Sequence, residues 1–155
     1  MTIPSSTSPA VRAYLYAQLT AQLQQDPNET TASLLVCYDE PGPNQPDDIV
    51  SIGKVQRQIG VNSLVGGGGA GWLDERYTVE IEIDVYRGND DPQYVYQRAS
   101  DLADAVISVI RTDPSLGGNV LTARPHTSTH DVSWDDKHMG RHATVVIEVE
   151  CFQRI

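Results

Sequence analysis

The sequence predicts an α+β fold: a largely antiparallel, mixed β-sheet with two main helices packed on one of its faces. Helical periodicity occurs only twice, once near the start and once in the middle of the chain. The remaining apolar runs are short or alternate with period two, and Gly, Pro, Asn and Asp separate them. The predicted order is helix, strand, strand, strand, helix, strand, strand, strand. That order is not the regular strand–helix alternation of a dinucleotide-binding sheet.

The first helix begins at "SPAVRAYLYAQLTAQLQQDP". Ser8 can cap it, Pro9 suits its first turn, and Val11, Leu15, Leu19 and Leu23 recur every four residues until Asp26 and Pro27 end it. "ASLLVCYD" (Ala32 to Asp39) reads as a strand, and the Pro-rich, acidic run that follows reads as an exposed loop near 39–48. "IVSIGKVQRQI" (Ile49 to Ile59) is a second strand. From Tyr77 the alternation is strict: Tyr77, Val79, Ile81, Ile83 and Val85 point one way, and Thr78, Glu80, Glu82 and Asp84 the other. Asp91 before Pro92 caps a second helix running to about Arg111, with Val95, Ala99, Leu102, Ala103, Val106, Ile107 and Ile110 on one broad apolar face. "NVLTAR" reads as a strand and "HTSTHDVSWDD" as a loop or bent strand. "RHATVVIEVECFQRI" is a long final strand, with Val145, Ile147, Val149 and Cys151 opposite Glu148 and Glu150. The domain organisation expected is one α+β domain over 1–155, with long loops near 39–48, 60–75 and 123–139.

A length of 155 residues suits a single core, and 39% hydrophobic with 21% charged residues suits a globular chain with long polar loops. Acidic residues outnumber basic ones 21 to 11, a net charge of −10, which argues against tight nucleic-acid binding. Met1 to Ala10 lack the pattern of a signal peptide, and no apolar run approaches the ~18 residues of a membrane span. A cytoplasmic protein without membrane contact is expected. Cys37 and Cys151 sit in apolar strand-like runs, where thiols behave as small buried hydrophobes.

"NSLVGGGGAGWLDE" raises the question of phosphate binding, because Gly66, Gly68 and Gly71 fit the spacing G-x-G-x-x-G. In that fingerprint the glycines precede a helix whose N-terminus meets the pyrophosphate. Here they precede a period-two strand, and no Lys-Ser or Lys-Thr follows to make a P-loop. The run is instead a connection much longer than an ordinary hairpin turn. Leu64, Val65, Gly66, Gly67, Gly68, Gly69, Trp72 and Leu73 form a candidate partner-contact segment, although Trp72 can equally fold back on its own sheet.

His126, His130, His138 and His142, with Asp131, Asp135 and Asp136, have the composition of a metal site. On strands, however, the members of each H-x-x-x-H pair would stand about 13 Å apart, too far to share one ion. Glu80, Glu82, Asp84, Glu148 and Glu150 read as a solvated acidic sheet face rather than an acid–base pair, which needs a partly dry pocket. No G-x-S-x-G occurs, and neither cysteine starts a helix. Nothing points to an enzyme or to a cofactor.

The arrangement as a whole, above all "YTVEIEIDVYRGNDDPQYVYQRASDLADAVISVIRTDP" followed by "NVLTARPHTSTHDVSWDDKHMGRHATVVIEVECF", resembles the tail terminator proteins of long-tailed bacteriophages from Ala10 to Phe152. The resemblance implies a non-enzymatic virion protein that forms a ring, usually a homo-hexamer, on the last ring of the tail tube. It would halt polymerisation and join the tail to the head and neck. Its partners would be further copies of itself, the major tail tube protein and a head–tail connector or neck protein. It would sit at the tail–neck junction of the virion after assembly in the host cytoplasm, and DNA would pass through an acidic lumen without specific binding. The glycine run and the four-histidine segment do not map onto the family pattern. Another neck protein, or a small metal-dependent hydrolase using residues 126–142, is the competing reading.

Overall fold

The computed structural model describes residues 4–43, 45–62, 69–135 and 137–155. Among these, seven elements follow in order: α1 (Ser8–Gln22), β1 (Leu34–Tyr38), β2 (Asp48–Val61), β3 (Leu73–Arg87), α2 (Pro92–Thr112), β4 (Thr122–Trp134) and β5 (Arg141–Arg154). The strands form one sheet in the order β1-β2-β3-β5-β4. β1 runs parallel to β2, and every other neighbouring pair is antiparallel, so the fold is α+β with a mixed sheet. Parallel neighbours usually need a long crossover. Here Pro41, Pro43 and Pro46 lie in a short return loop, which suffices because β1 is only five residues long.

The strict alternation in β3 builds the core. Tyr77, Val79, Ile81, Ile83 and Val85 are at most 2% exposed, and β5 sets Cys151, Val149, Ile147, Val145 and Ala143 directly beside them. Antiparallel partners share a face, so the two central strands make one apolar wall. α2 covers its β3, β5 and β4 side with Val95, Ala99, Leu102, Val106 and Ile110, while α1 covers β1 and β2 with Val11, Leu15 and Leu19. Asp91 caps α2, accepting from the Tyr94 N–H at 3.1 Å.

Three expectations are corrected. The 123–139 loop is mostly strand: β4 spans Thr122–Trp134 and absorbs both "NVLTAR" from Thr122 onward and the bent segment after it. Pro125 and the polar residues around it resemble a loop, but an edge strand tolerates proline, and the register shifts between Pro125 and Thr127. The 60–75 loop is shorter than expected, because β2 and β3 pair out to Val61 with Leu73. α1 ends at Gln22, ahead of Asp26, and its cap position is Thr7 rather than Ser8.

Thr7 makes no capping bond to its own helix because Glu75 engages it. The Glu75 carboxylate, fully buried, accepts from Thr7 N–H at 3.1 Å, Thr7 Oγ1 at 3.0 Å and Arg57 Nε at 2.9 Å. A second buried cluster ties the other end of the sheet to α2 and to the segment that follows α1. Arg87 donates through Nη1 to Asp48 at 2.7 Å and through Nη2 to Asp26 at 3.0 Å, and Arg98 Nε donates to Asp48 at 3.0 Å. Arg87 Nε lies 2.7 Å from Glu29 Oε2 at an angle that makes a charge contact without a hydrogen bond. Tyr94 Oη also donates to Asp26. Breaking one partner of a buried pair strands a desolvated charge, at a cost of about 3–5 kcal/mol.

These carboxylates set the acid limit of stability. Burial alone would raise the pKa of Asp26, but hydrogen bonds from Tyr94, the Asn28 N–H and Arg87, with the Arg98 charge, outweigh it and hold the group low. Burial of Glu75 is likewise outweighed by Thr7, Arg57 and Ser6. A depressed folded pKa contributes stability that is complete above the unfolded values, 3.8 for Asp and 4.5 for Glu, and that disappears as pH falls through the folded values. Melting temperature should therefore fall as the pH drops below about 4.5, with a shallower fall in Glu75→Gln. An acid slope in Glu75→Gln equal to that of the parent, measured by thermal unfolding from pH 6 to 3, would contradict the assignment.

Candidate functional face: the open side of the sheet

Both helices lie on one side of the sheet, so the alternate residues of β3 and β5 form a second face that no described element covers. Its rows follow from the register. Glu80 stands directly opposite Glu148, Thr78 opposite Glu150, Glu82 opposite Val146 and Asp84 opposite Thr144. β2 adds Ser51 beside Glu82 and Gln56 beside Thr78. Glu82 is exposed, while Glu80, Asp84, Glu148 and Glu150 are half-buried among their neighbours. Packing desolvates the Glu82 carboxyl, and Asp84, Glu80 and Glu40 add like charge, all of which raise its pKa.

The face is not uniformly negative. Glu150 lies 3.4 Å from Arg124 Nη2 and 3.6 Å from His126 Nδ1, and Glu148 accepts from Thr127 Oγ1 at 3.1 Å. Arg76 stacks over the Phe152 ring with 4.4 Å to its centroid, and Arg154 Nε lies 3.9 Å from Asp74. The cations therefore gather at the end where β3 begins, while Glu80, Glu82 and Asp84 occupy the middle and far end. A shallow concavity lined by Gln56, Gln58, Arg76, His126 and Glu150 marks the change of sign. At the far end His142 Nδ1 is 3.0 Å from Asp84 Oδ1, and its ring lies 4.8 Å from that of Tyr86.

The histidines do not converge. His126 sits at the open face beside Glu150, and His142 on the same face beside Asp84. His130 bonds Ser128 Oγ at 2.8 Å and meets Tyr96 of α2 on the helical side, and His138 lies against Trp134 in the β4–β5 turn. Among the described residues no three His, Cys, Asp or Glu side chains are grouped to hold a metal ion. His126 and His130 lie along β4, whereas His138 lies in the turn before β5, which carries His142. Cys151 is buried, and burial, with Glu150 and Glu75 nearby, pushes its thiol up to about 12; burial and Asp39 also raise Cys37. Both stay protonated at neutral pH, which makes them poor nucleophiles.

Of the partner-contact segment, Leu64, Val65, Gly66, Gly67 and Gly68 lie outside the described residues. Gly69, Trp72 and Leu73 are half-buried. The base of the connection is fastened: Gly71 N–H donates to Ile155 O at 2.9 Å, Ile155 N–H donates to Leu73 O at 2.9 Å, and Asn62 N–H donates to Trp72 O at 2.7 Å. Gly71 leads into strand β3, which offers no helix N-terminus to a phosphate.

The buried clusters around Arg87 and Glu75 were not anticipated. One signal was available: both residues have odd numbers, the parity of the apolar side of β3, so each continues the core-facing row at one end of the strand. Arg98 similarly falls beside Val95, Ala99 and Leu102 on the buried face of α2.

No family model matches the chain, and no curated protein matches it. Among solved structures, it is similar to a chain from the virion of a native gene transfer agent particle, with 14% identity and a TM-score of 0.45 over 96% of this chain and 99% of that one.

Like charges directly opposite across a sheet destabilise by about 0.2–1 kcal/mol, and salt screens them. Glu80→Gln should therefore raise the unfolding free energy read from urea titration at pH 7 by an amount in that range, with a higher midpoint, and the gain should shrink between about 20 mM and about 500 mM salt as the Debye length falls from roughly 20 Å to 4 Å. A midpoint lowered by the substitution would mean that Glu80 makes a stabilising contact instead.

Proposed function

We propose that this chain is a structural, ring-forming tail terminator of a long-tailed phage or phage-like particle. Six copies would cap the tail tube, stop its growth and join it to the neck, with the open sheet face lining a bore through which DNA passes. The observation that best supports this reading is the asymmetry of the two faces. Helices occupy one side of the sheet, and no described element covers the long polar surface opposite, with Glu80, Glu82 and Glu148 at its centre and Asp84 toward one end. A net charge of −10 per chain becomes −60 for six copies (6 × −10), and carboxylates of the open face turned to the bore would repel phosphates so that the genome slides without adhering. The reading makes the subunit a virion component at the tail–neck junction, with the tube protein below it and a connector or neck protein above.

The charge reversal Glu80→Lys, Glu82→Lys, Glu148→Lys tests it. Assembled parent rings should not retain duplex DNA at low salt, whereas the triple variant should, with retention falling steeply as salt rises. Parent rings that bind DNA as strongly as the variant would overturn the proposal.

A further inference from the structure

We propose that copies of this chain join edge to edge by strand addition, β4 of one copy pairing antiparallel with the outer edge of β2 in the next. The inference rests on the ring reading above and names the surface that would close the ring. β1 pairs with β2 only from Asp48 to Ile52, and no described strand lies along Val55–Val61 on that side. The β2 segment beyond the bulge at Ile52/Val55 stays paired to β3 on its inner side while Ile59 and Val61 stand 55% and 58% exposed. At the other border of the sheet, β4 is a 13-residue edge strand exposed along most of its length, with Trp134 37% exposed. Long exposed edges of this kind are templates for another strand.

The two edges fit each other in three respects. Their faces match: on the helical side β2 offers Val55, Ile59 and Val61 and β4 offers His130, Val132 and Trp134, while on the open side Gln56 and Gln58 would meet Ser133 and Asp131. Their charges are complementary where they are exposed: Arg57 is paired with Glu75, which leaves Lys54 as the outward cation of residues 54–61, and residues 127–135 carry Asp131 and Asp135 with no lysine or arginine. Their directions suit a rotation, which leaves strand sense about the axis unchanged. β2 and β5 run one way and β3 and β4 the other, so β4 beside a neighbour's β2 is antiparallel. A register that sets Val55 opposite Trp134 brings Lys54 to Asp135 and Gln56 to Ser133. Because the joined edges lie at opposite borders of one sheet, the contact is heterologous, the kind that repeats into a ring where its rotation closes. The open face then continues from copy to copy.

The test uses the full chain with Gln56→Cys and Ser133→Cys in a Cys37→Ser background, treated with a short bismaleimide and read on denaturing gels beside native mass spectrometry. The double variant should give a ladder of covalent multimers ending at the size of the ring. Each single variant alone should stay monomeric on the gel, and a mixture of the two singles should stop at dimer. A single variant that cross-links to itself would indicate a two-fold contact and overturn the proposal. Rings in the mass spectrum without cross-links in the double variant would overturn the edge joint and leave the ring standing. No rings at all would overturn both.

Discussion

The register between β3 and β5 is the constraint on which the rest of the structure depends. Fourteen consecutive pairs, from Asp74 with Arg154 to Arg87 with Arg141, align the two alternating strands without a shift. A slip of one residue would turn Val79, Ile81 and Ile83 toward water and carry Glu80 and Glu82 under the helices. That exchange combines lost apolar burial with the desolvation of unpaired carboxylates, so the register is strongly determined. The same pairing that seals the core also assembles Glu80, Glu82, Asp84, Glu148 and Glu150 on one surface.

Register alone does not fix where the helices lie. The two buried ionic clusters do this at opposite ends of β3. At its start Glu75 holds Thr7 at the head of α1, and at its end Arg87 gathers Asp26 from beyond α1, Asp48 from β2 and, through Asp48, Arg98 of α2. Buried charges are seldom a net source of stability compared with apolar packing, but their geometry is demanding. Gly140 adds a steric condition at the same end, because a Cβ there would stand 2.3 Å from the Arg87 carbonyl oxygen. Docking helices through such contacts fixes both to the same side and leaves the opposite face open.

The parts of this fold that were legible in the sequence are those with a local period. Tyr77 to Val85, Val145 to Cys151 and the Val95-to-Ile110 face each repeat on the pitch of their element, and Asp91 before Pro92 is a cap readable without tertiary knowledge. β4 was legible only in part, as a strand at "NVLTAR" and a loop or bent strand after it, because Pro125 and a run of Thr, Ser and His carry no apolar alternation. Only a neighbour, β5, makes that segment a strand. The parallel sense of β1 was equally hidden, since it depends on how a proline-containing loop returns. Arg87 and Asp26 are 61 positions apart, and their contact exists only once the sheet and helices have met. The acidic face was legible as alternating carboxylates, but its cationic end was not, because Arg76, Arg124 and Arg154 come from three strands brought into neighbouring rows.

One side of the sheet, then, is committed to folding, and no described element covers the other. If the subunit builds a ring around a passage, the open face must be the inner one and α2 must lie outside it. Pulsed electron paramagnetic resonance on assembled rings measures this directly, with one spin label per copy at Glu82→Cys or at Gln97→Cys, in a Cys37→Ser background. Gln97 is on the exposed side of α2. Distances between copies should be shorter from position 82 than from position 97. Longer distances from position 82 would put the carboxylates on the outside and contradict the account.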